Sequence, residues 1–259
     1  MADIVFEPEV LYKAYATGKG AVVDDGRCRV RTLPFTSRWS EFLWSTDGEI
    51  EENRIFTYLM MEPIDSSSEG SSDILVLTHG LNEGSYAKLF PWVYNLVLQL
   101  RRPVLIFPMS FHITRRSDDW GFSTQGRLAH ARATVKGNEK TSPFNAQISD
   151  RLSKAPERFY LGGLQSYYDV IDLADQVRTG THPGCRPGAR IDFLGYSAGG
   201  YLAMNLLLAN PDGRFSESRA TLFASCASLD GMDPKSIFIM DSDAGHHLMT
   251  FLKNRHYMN

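Results

Sequence analysis

The stretch that decides the fold is Ile191-Asp192-Phe193-Leu194-Gly195-Tyr196-Ser197-Ala198-Gly199-Gly200, with Tyr201 to Leu208 behind it. Ile191 to Leu194 reads as a buried strand, and Tyr201 to Leu208 as a helix apolar on nearly all sides, hence also buried. Between them, Gly195-Tyr196-Ser197-Ala198-Gly199 fits the pattern G-x-S-x-G. On a strand-to-helix turn of this kind the serine sits in strained backbone and its hydroxyl stands clear of the sheet. Glycines two before and two after it let strand and helix approach closely. The helix that begins there aims its N-terminal amides at the same spot, which favours developing negative charge. A plain turn rich in small residues is the competing account, and the strand-to-helix context argues against it.

Working upstream, Ile74-Leu75-Val76-Leu77-Thr78 is a continuous apolar run typical of a buried parallel strand, and it ends in His79-Gly80. Leu89, Trp92, Val93, Leu96, Val97 and Leu100 then fall on one helical stripe, with Pro91 marking the start. Pro103 to Phe111 reads as a second buried strand. Ser166 with Asp169 three residues on reads as a capping box that opens a helix carrying Tyr167, Val170, Ile171, Ala174 and Val177. Pro183 to Gly188 is a turn, and Ala220 to Ala227 a further strand. Strands alternating with helices predict an α/β fold: a three-layer α/β/α sandwich with a mostly parallel sheet, as one domain over residues 1–259. Residues 112–160 are polar and irregular, a long excursion of the sort that serves as a cap or lid. The first 30 residues read as an arm or short strands. Cys28 to Phe35 and Asn53 to Met61 are strand-like, and Ser66 to Asp73 is a polar loop.

Composition removes several function classes. The chain has 259 residues, a formal charge of −3, 43% hydrophobic and 22% charged residues. That charge balance gives no reason to expect nucleic acid as a partner. Cys28, Cys185 and Cys226 form neither a disulfide framework nor a C-x-x-C metal site. No signal peptide is visible, and no run reaches the roughly 18 apolar residues of a membrane span, so a cytoplasmic location is expected. No G-x-G-x-x-G follows a strand, and Gly18-Lys19-Gly20 lacks phosphate-loop spacing, so neither cofactor nor metal is expected. The sequence sets no oligomeric state.

The His79-Gly80 loop after one strand and the Gly-Tyr-Ser-Ala-Gly turn after another resemble the α/β-hydrolase superfamily. More narrowly, His79-Gly80-Leu81-Asn82-Glu83, Pro103-Val104-Leu105-Ile106-Phe107-Pro108 and Phe111-His112 resemble an uncharacterised bacterial family of hydrolase-like proteins. The resemblance covers about residues 72 to 253. It implies a Ser–acid–His triad in that chain order, with the backbone N–H groups of Leu81 and Ala198 as the oxyanion hole. His79 would then orient its loop, because the base in this architecture comes late in the chain. With strands of about 5 residues, a helix of about 11 and loops of 4 to 6, the chain after Ser197 barely holds what remains of such a core. The sequence is therefore expected to lack the last strands, as a member truncated at the C-terminus.

The tail is open to two assignments. In one, Ser236 to Met240 is a strand, Asp243 the acid and His256 the base, an arrangement like that of small cutinase-type lipases. In the other, Asp233 caps a helix that starts at Pro234, and Ile237, Met240, Ala244, Leu248, Phe251 and Leu252 share its apolar stripe. The helix is favoured because start signal and stripe agree. Asp230 is a further candidate acid, though a loop aspartate explains it as well. Arg115 and Arg116 could hold a substrate carboxylate or be a solvated charge pair. Phe107, Phe111, Trp120 and Phe122 could line an acyl pocket or belong to the core. The sequence thus predicts a serine hydrolase that acts on an ester or related acyl bond of a small molecule through a Ser197 acyl-enzyme. The alternative is a catalytically incomplete hydrolase-like domain, either a fragment or a binding module.

Overall fold

A computed structural model describes residues 7–18, 22–43, 46–64, 70–225 and 233–256. In chain order the elements are α1 (Glu7–Thr17), β1 (Val23–Asp24), β2 (Cys28–Thr36), α2 (Glu51–Arg54), β3 (Ile55–Pro63), β4 (Ser71–Thr78), α3 (Phe90–Leu100), β5 (Val104–Ile106), α4 (Phe122–Ala133), α5 (Ala146–Lys154), α6 (Glu157–Thr179), β6 (Cys185–Tyr196), α7 (Ala198–Ala209), β7 (Ala220–Phe223) and α8 (Ser242–His256). The strands form one sheet in the order β1-β2-β3-β5-β4-β6-β7. The half that carries the Ser197 turn, β5-β4-β6-β7, is parallel. The other half is antiparallel, from β1 through β2 and β3 to β5, so the sheet is mixed.

Alternation along the central strands builds the two outer layers. In β4, Ile74 and Val76 face a core completed by Val170, Leu173 and Val177 of α6 and Leu206 of α7. Leu75 and Leu77 face the opposite core, completed by Leu11 of α1 and by Phe90, Val93 and Val97 of α3. This is the α/β/α layering expected of strands buried on both faces. A third, small cluster lies away from the sheet, where Leu152 of α5 meets Met240, Ala244 and Leu248. Among the described residues no helix is long and apolar enough to cross a membrane.

Several boundaries differ from the sequence expectation, each for a physical reason. The first 30 residues contain a helix, α1, besides short strands. The excursion 112–160 is largely helical, holding α4, α5 and the start of α6. Ser166 does not open a helix. It lies inside α6, where its Oγ donates to the Gly162 carbonyl one turn back (2.8 Å) and accepts from Ser110 N–H (2.9 Å). Asp169 lies one turn further on the same buried face, so the capping-box spacing marks two inward-facing polar side chains. β5 stops at Ile106 because the amides of Met109 and Ser110 bond His79 Nε2 and Ser166 Oγ instead of a strand.

The tail is neither the strand nor the full helix expected. α8 begins at Ser242, where Asp241 Oδ1 accepts from Ala244 N–H (3.0 Å), whereas Asp233 caps only a local turn through Lys235 N–H. Residues 236–240 cannot be helical because side chains from elsewhere take their carbonyls. Asn145 Nδ2 donates to Ser236 O, Ser142 Oγ to Ile237 O, and Asn82 Nδ2 to Phe238 O and Ile239 O. The expected strand over 220–227 is β7 up to Phe223, with residues 226–227 outside the described set; of the expected 66–73 loop, residues 66–69 lie outside that set and Ser71–Asp73 open β4.

Behind the parallel strands, Arg115 is fully buried and contacts Asp169 Oδ2 at 2.9 Å, also fully buried. Its guanidinium stacks over Phe56 at 4.1 Å and donates to Asn53 O, Asn53 Oδ1 and Pro108 O. Burial pushes the Asp169 carboxyl up and the Arg115 guanidinium down, and each partner's charge opposes that drift. Removing one member leaves an uncompensated charge in the core. Asp169→Asn or Arg115→Met is therefore expected to lower unfolding stability by about 3–5 kcal/mol, read from the urea midpoint. The double variant should lose less than the sum of the two.

Candidate active site

The Ser197 backbone has φ 53° and ψ −120°, a strained conformation for a residue with a side chain. Three strands hold it there. Ser197 N–H donates to Phe223 O of β7 (3.0 Å), and Ser225 Oγ donates to Ser197 O (3.2 Å). Thr78 Oγ1, at the end of β4, donates to Gly199 O (2.8 Å). The glycines are required by contact. A Cβ at Gly199 would overlap the Thr78 carbonyl, and one at Gly195 would overlap the Gly200 backbone. A Cβ at Gly80 would lie 3.0 Å from the Tyr196 ring and 3.3 Å from Ser197 Cβ, so the His79-Gly80 loop rests against the serine turn.

His79 is buried and bonded at both ring nitrogens. Nδ1 faces Gly80 O at 2.8 Å, and Nε2 accepts from Met109 N–H at 2.9 Å. A carbonyl partner requires Nδ1 to carry the proton, so the ring is neutral. Burial, with a smaller contribution from His112, pulls its pKa down to about 3. His79 thereby ties the Gly80 loop to the chain after β5, an orienting contact with no lone pair left over. The neighbouring His112, 5.2 Å away between ring centroids, also donates from Nδ1, to Ser110 O (2.8 Å). Its Nε2 is left as an acceptor. Burial, reinforced by Arg115, Arg116 and Arg151, lowers its pKa to about 4.

A cavity of about 820 Å³ opens over Ser197, and Leu81, Ala198 and His112 also line it. Phe111 and Trp120 lie in its wall as well, whereas Phe107 is in the core and the Phe122 side chain falls outside the described set. The adjacent arginines part company: Arg115 is in the core and Arg116 in the cavity wall. Asn82, at φ 62°, joins the loop below the cavity to the 236–240 turn above it. No local pattern around Asn82 signals that tie, and His112 stands out in the sequence only beside Phe111 in the family-like stretch.

The acid and base expected from the tail do not assemble. Asp243 sits in the first turn of α8, where Arg132 Nη2 holds it at 3.1 Å, and it is absent from the cavity wall. Asp243 and His256 stand near opposite ends of this 15-residue helix, about 20 Å apart at ~1.5 Å per residue, too far to bond each other. Asp230 and the His256 side chain lie outside the described residues. Among the described residues, no side chain hydrogen-bonds Ser197 Oγ.

Burial likewise lowers His182 to about 4, with Arg31 adding to the effect. His79, His112 and His182 are thus neutral when folded at pH 5, but each gains a proton on unfolding below about pH 6.5. Stability should fall as pH drops from 6.5 towards 4, by up to about 1.4 kcal/mol per pH unit for each histidine. The urea midpoint is expected to drop between pH 7 and pH 5, and His182→Gln to reduce that slope by about a third.

Comparison with curated protein sequences gives no match. Solved structures similar to this chain include a cold-adapted esterase from an Arctic intertidal metagenomic library (16% identity, TM-score 0.43, covering 82% of this chain and 66% of that one). A bacterial heroin esterase matches at 14% identity and TM-score 0.46, over 95% of this chain and 62% of that one. A thermostable esterase from Pseudomonas putida matches at 12% identity and TM-score 0.43, over 94% and 58%. The chain spans about two thirds or less of the length of each. Residues 36–256 match the model of a family of unknown function, DUF6051, and the chain belongs to that family.

Proposed function

We propose that this chain is a serine hydrolase that cleaves an ester or related acyl bond of a small molecule. The observation that carries the proposal is the strained Ser197 turn, held by three strands against the Gly80 loop at the floor of a large cavity. Ser197 Oγ attacks the acyl carbonyl, and the amides of Leu81 and Ala198 receive the oxyanion. The leaving group departs with a proton, an acyl-enzyme remains, and water then releases the acid. His79 orients the loop that presents Leu81. Residues 112–160, together with α8, roof the acyl site.

His112 is unsuited to be the base. A general base must become imidazolium, and burial, reinforced by Arg115, Arg116 and Arg151, opposes that charge at His112. It serves as a fixed acceptor instead. This observation favours a second reading, in which the domain binds through the same cavity but lacks a working triad.

A fluorophosphonate probe separates the two. The folded protein at pH 8 should take up the label at Ser197 in near-stoichiometric amount, seen by intact mass. Ser197→Ala should abolish labelling and lower ester hydrolysis by about 10³-fold or more. Folded protein that takes no label leaves the binding reading in place.

A further inference from the structure

Arg116 is the cation in the cavity wall that lacks a carboxylate. Its Nη2 donates to the Trp120 carbonyl at 2.5 Å, and among the described residues no acidic side chain comes within ion-pair distance. Gly84 makes room for it: a Cβ there would stand 2.6 Å from Arg116 Nη1. Burial lowers its pKa, and no neighbouring anion offsets the shift.

Two further arginines, Arg151 and Arg158, stand in the same wall, and both are paired. Arg151 lies 4.4 Å over the Phe111 ring and 4.5 Å over Trp120. Asp47 accepts from Arg151 and from Arg158, each at 2.9 Å, and Asp150 adds a second negative charge near Arg151. Of the acidic residues in the wall, Glu83 is held by Lys88 at 2.5 Å, and Asp233 lies 3.9 Å from Lys235. The rest of the cavity is largely apolar, with Leu152, Phe159, Leu202, Met240, Leu248 and Leu252 in its wall. A half-buried guanidinium whose partner is one neutral carbonyl has lost part of its hydration without gaining an anion. A ligand carboxylate would supply that partner, because two parallel N–H···O bonds match the guanidinium fork.

The geometry points to an amphipathic carboxylate as the cavity's ligand: an ester or related acyl compound with an apolar chain, whose carboxylate is bound by Arg116. That it is a substrate rests on the serine-hydrolase reading; the anion subsite rests on the cavity alone. Gly80, against Ser197, and Gly84, against Arg116, are joined by residues 81–83, a path of at most ~14 Å when fully extended. Arg116 and Ser197 line the same cavity, so one ligand lying along this wall can meet both.

Titration calorimetry at neutral pH with hexanoate and its uncharged isostere hexanamide tests the subsite. The protein should bind hexanoate at least tenfold more tightly. Arg116→Met should erase that preference while leaving hexanamide affinity unchanged, and Ser197→Ala should keep it. Equal affinity for the two probes, no binding of either, or a preference that survives in Arg116→Met would overturn the inference. Should Arg116→Met fail to fold, the comparison of the two probes on the unaltered protein decides. A hexanoate preference without fluorophosphonate labelling would leave the subsite standing and remove the hydrolase reading; labelling without the preference would do the reverse.

Discussion

The structure turns on the close approach of the α7 N-terminus to the ends of β4 and β6. A non-glycine residue at positive φ costs of order 1–3 kcal/mol and persists only where its surroundings over-determine it. At Ser197 the surroundings come from its own strand, through Gly195 on β6, and from two strands remote in sequence, through Thr78 on β4 and Phe223 on β7. The parallel register places those strand ends side by side, with Thr78 opposite Gly195 and Tyr196 opposite Phe223. The glycines follow from that register, since any side chain at 199 would push α7 off β4. The Gly80 loop follows too, because it leaves β4 at the level where the serine stands.

What the sequence revealed is what local pattern can encode. The Ile74–Thr78 run, the Leu89–Leu100 stripe and the glycine-flanked serine each state their element within a few residues, and α3 duly begins beside Pro91. What it concealed depended on partners far away. Residues 236–240 carry helical spacing, yet their carbonyls are taken by Asn82, Ser142 and Asn145. Ser166 and Asp169 have capping spacing, yet they face the core because Ser110 and Arg115 await them there. Arg115 and Arg116 cannot be told apart by composition; a short 3-10 turn over Ile113–Arg115 sends one into the core and leaves the other at the cavity.

The same network explains why one end of the site is rigid and electrostatically unusual. His79 spends both nitrogens on backbone groups, and Arg115 spends its guanidinium on Asn53, Pro108 and Asp169. Asn53 in turn accepts from Phe111 N–H and donates to Gln165, which reaches Ser37. Buried polar chains of this kind hold one geometry because breaking any link strands another group. Burial, with Arg115 of this network adding to it, lowers the pKa of the neighbouring His112.

Floor and roof of the cavity are held by different means. The floor belongs to two large apolar cores on either face of the sheet. The roof rests on the small cluster of Leu152, Met240, Ala244 and Leu248, and on polar ties, chiefly Arg132 to Asp241 at 2.6 Å. Elements with few buried apolar contacts open at lower free-energy cost than core elements do. Asn82 crosses between the two, with its backbone in the loop below and its amide on the carbonyls of the roof. Asn82 thereby fixes the position of the 236–240 turn against the loop that follows β4, so the two share one hydrogen-bonded geometry.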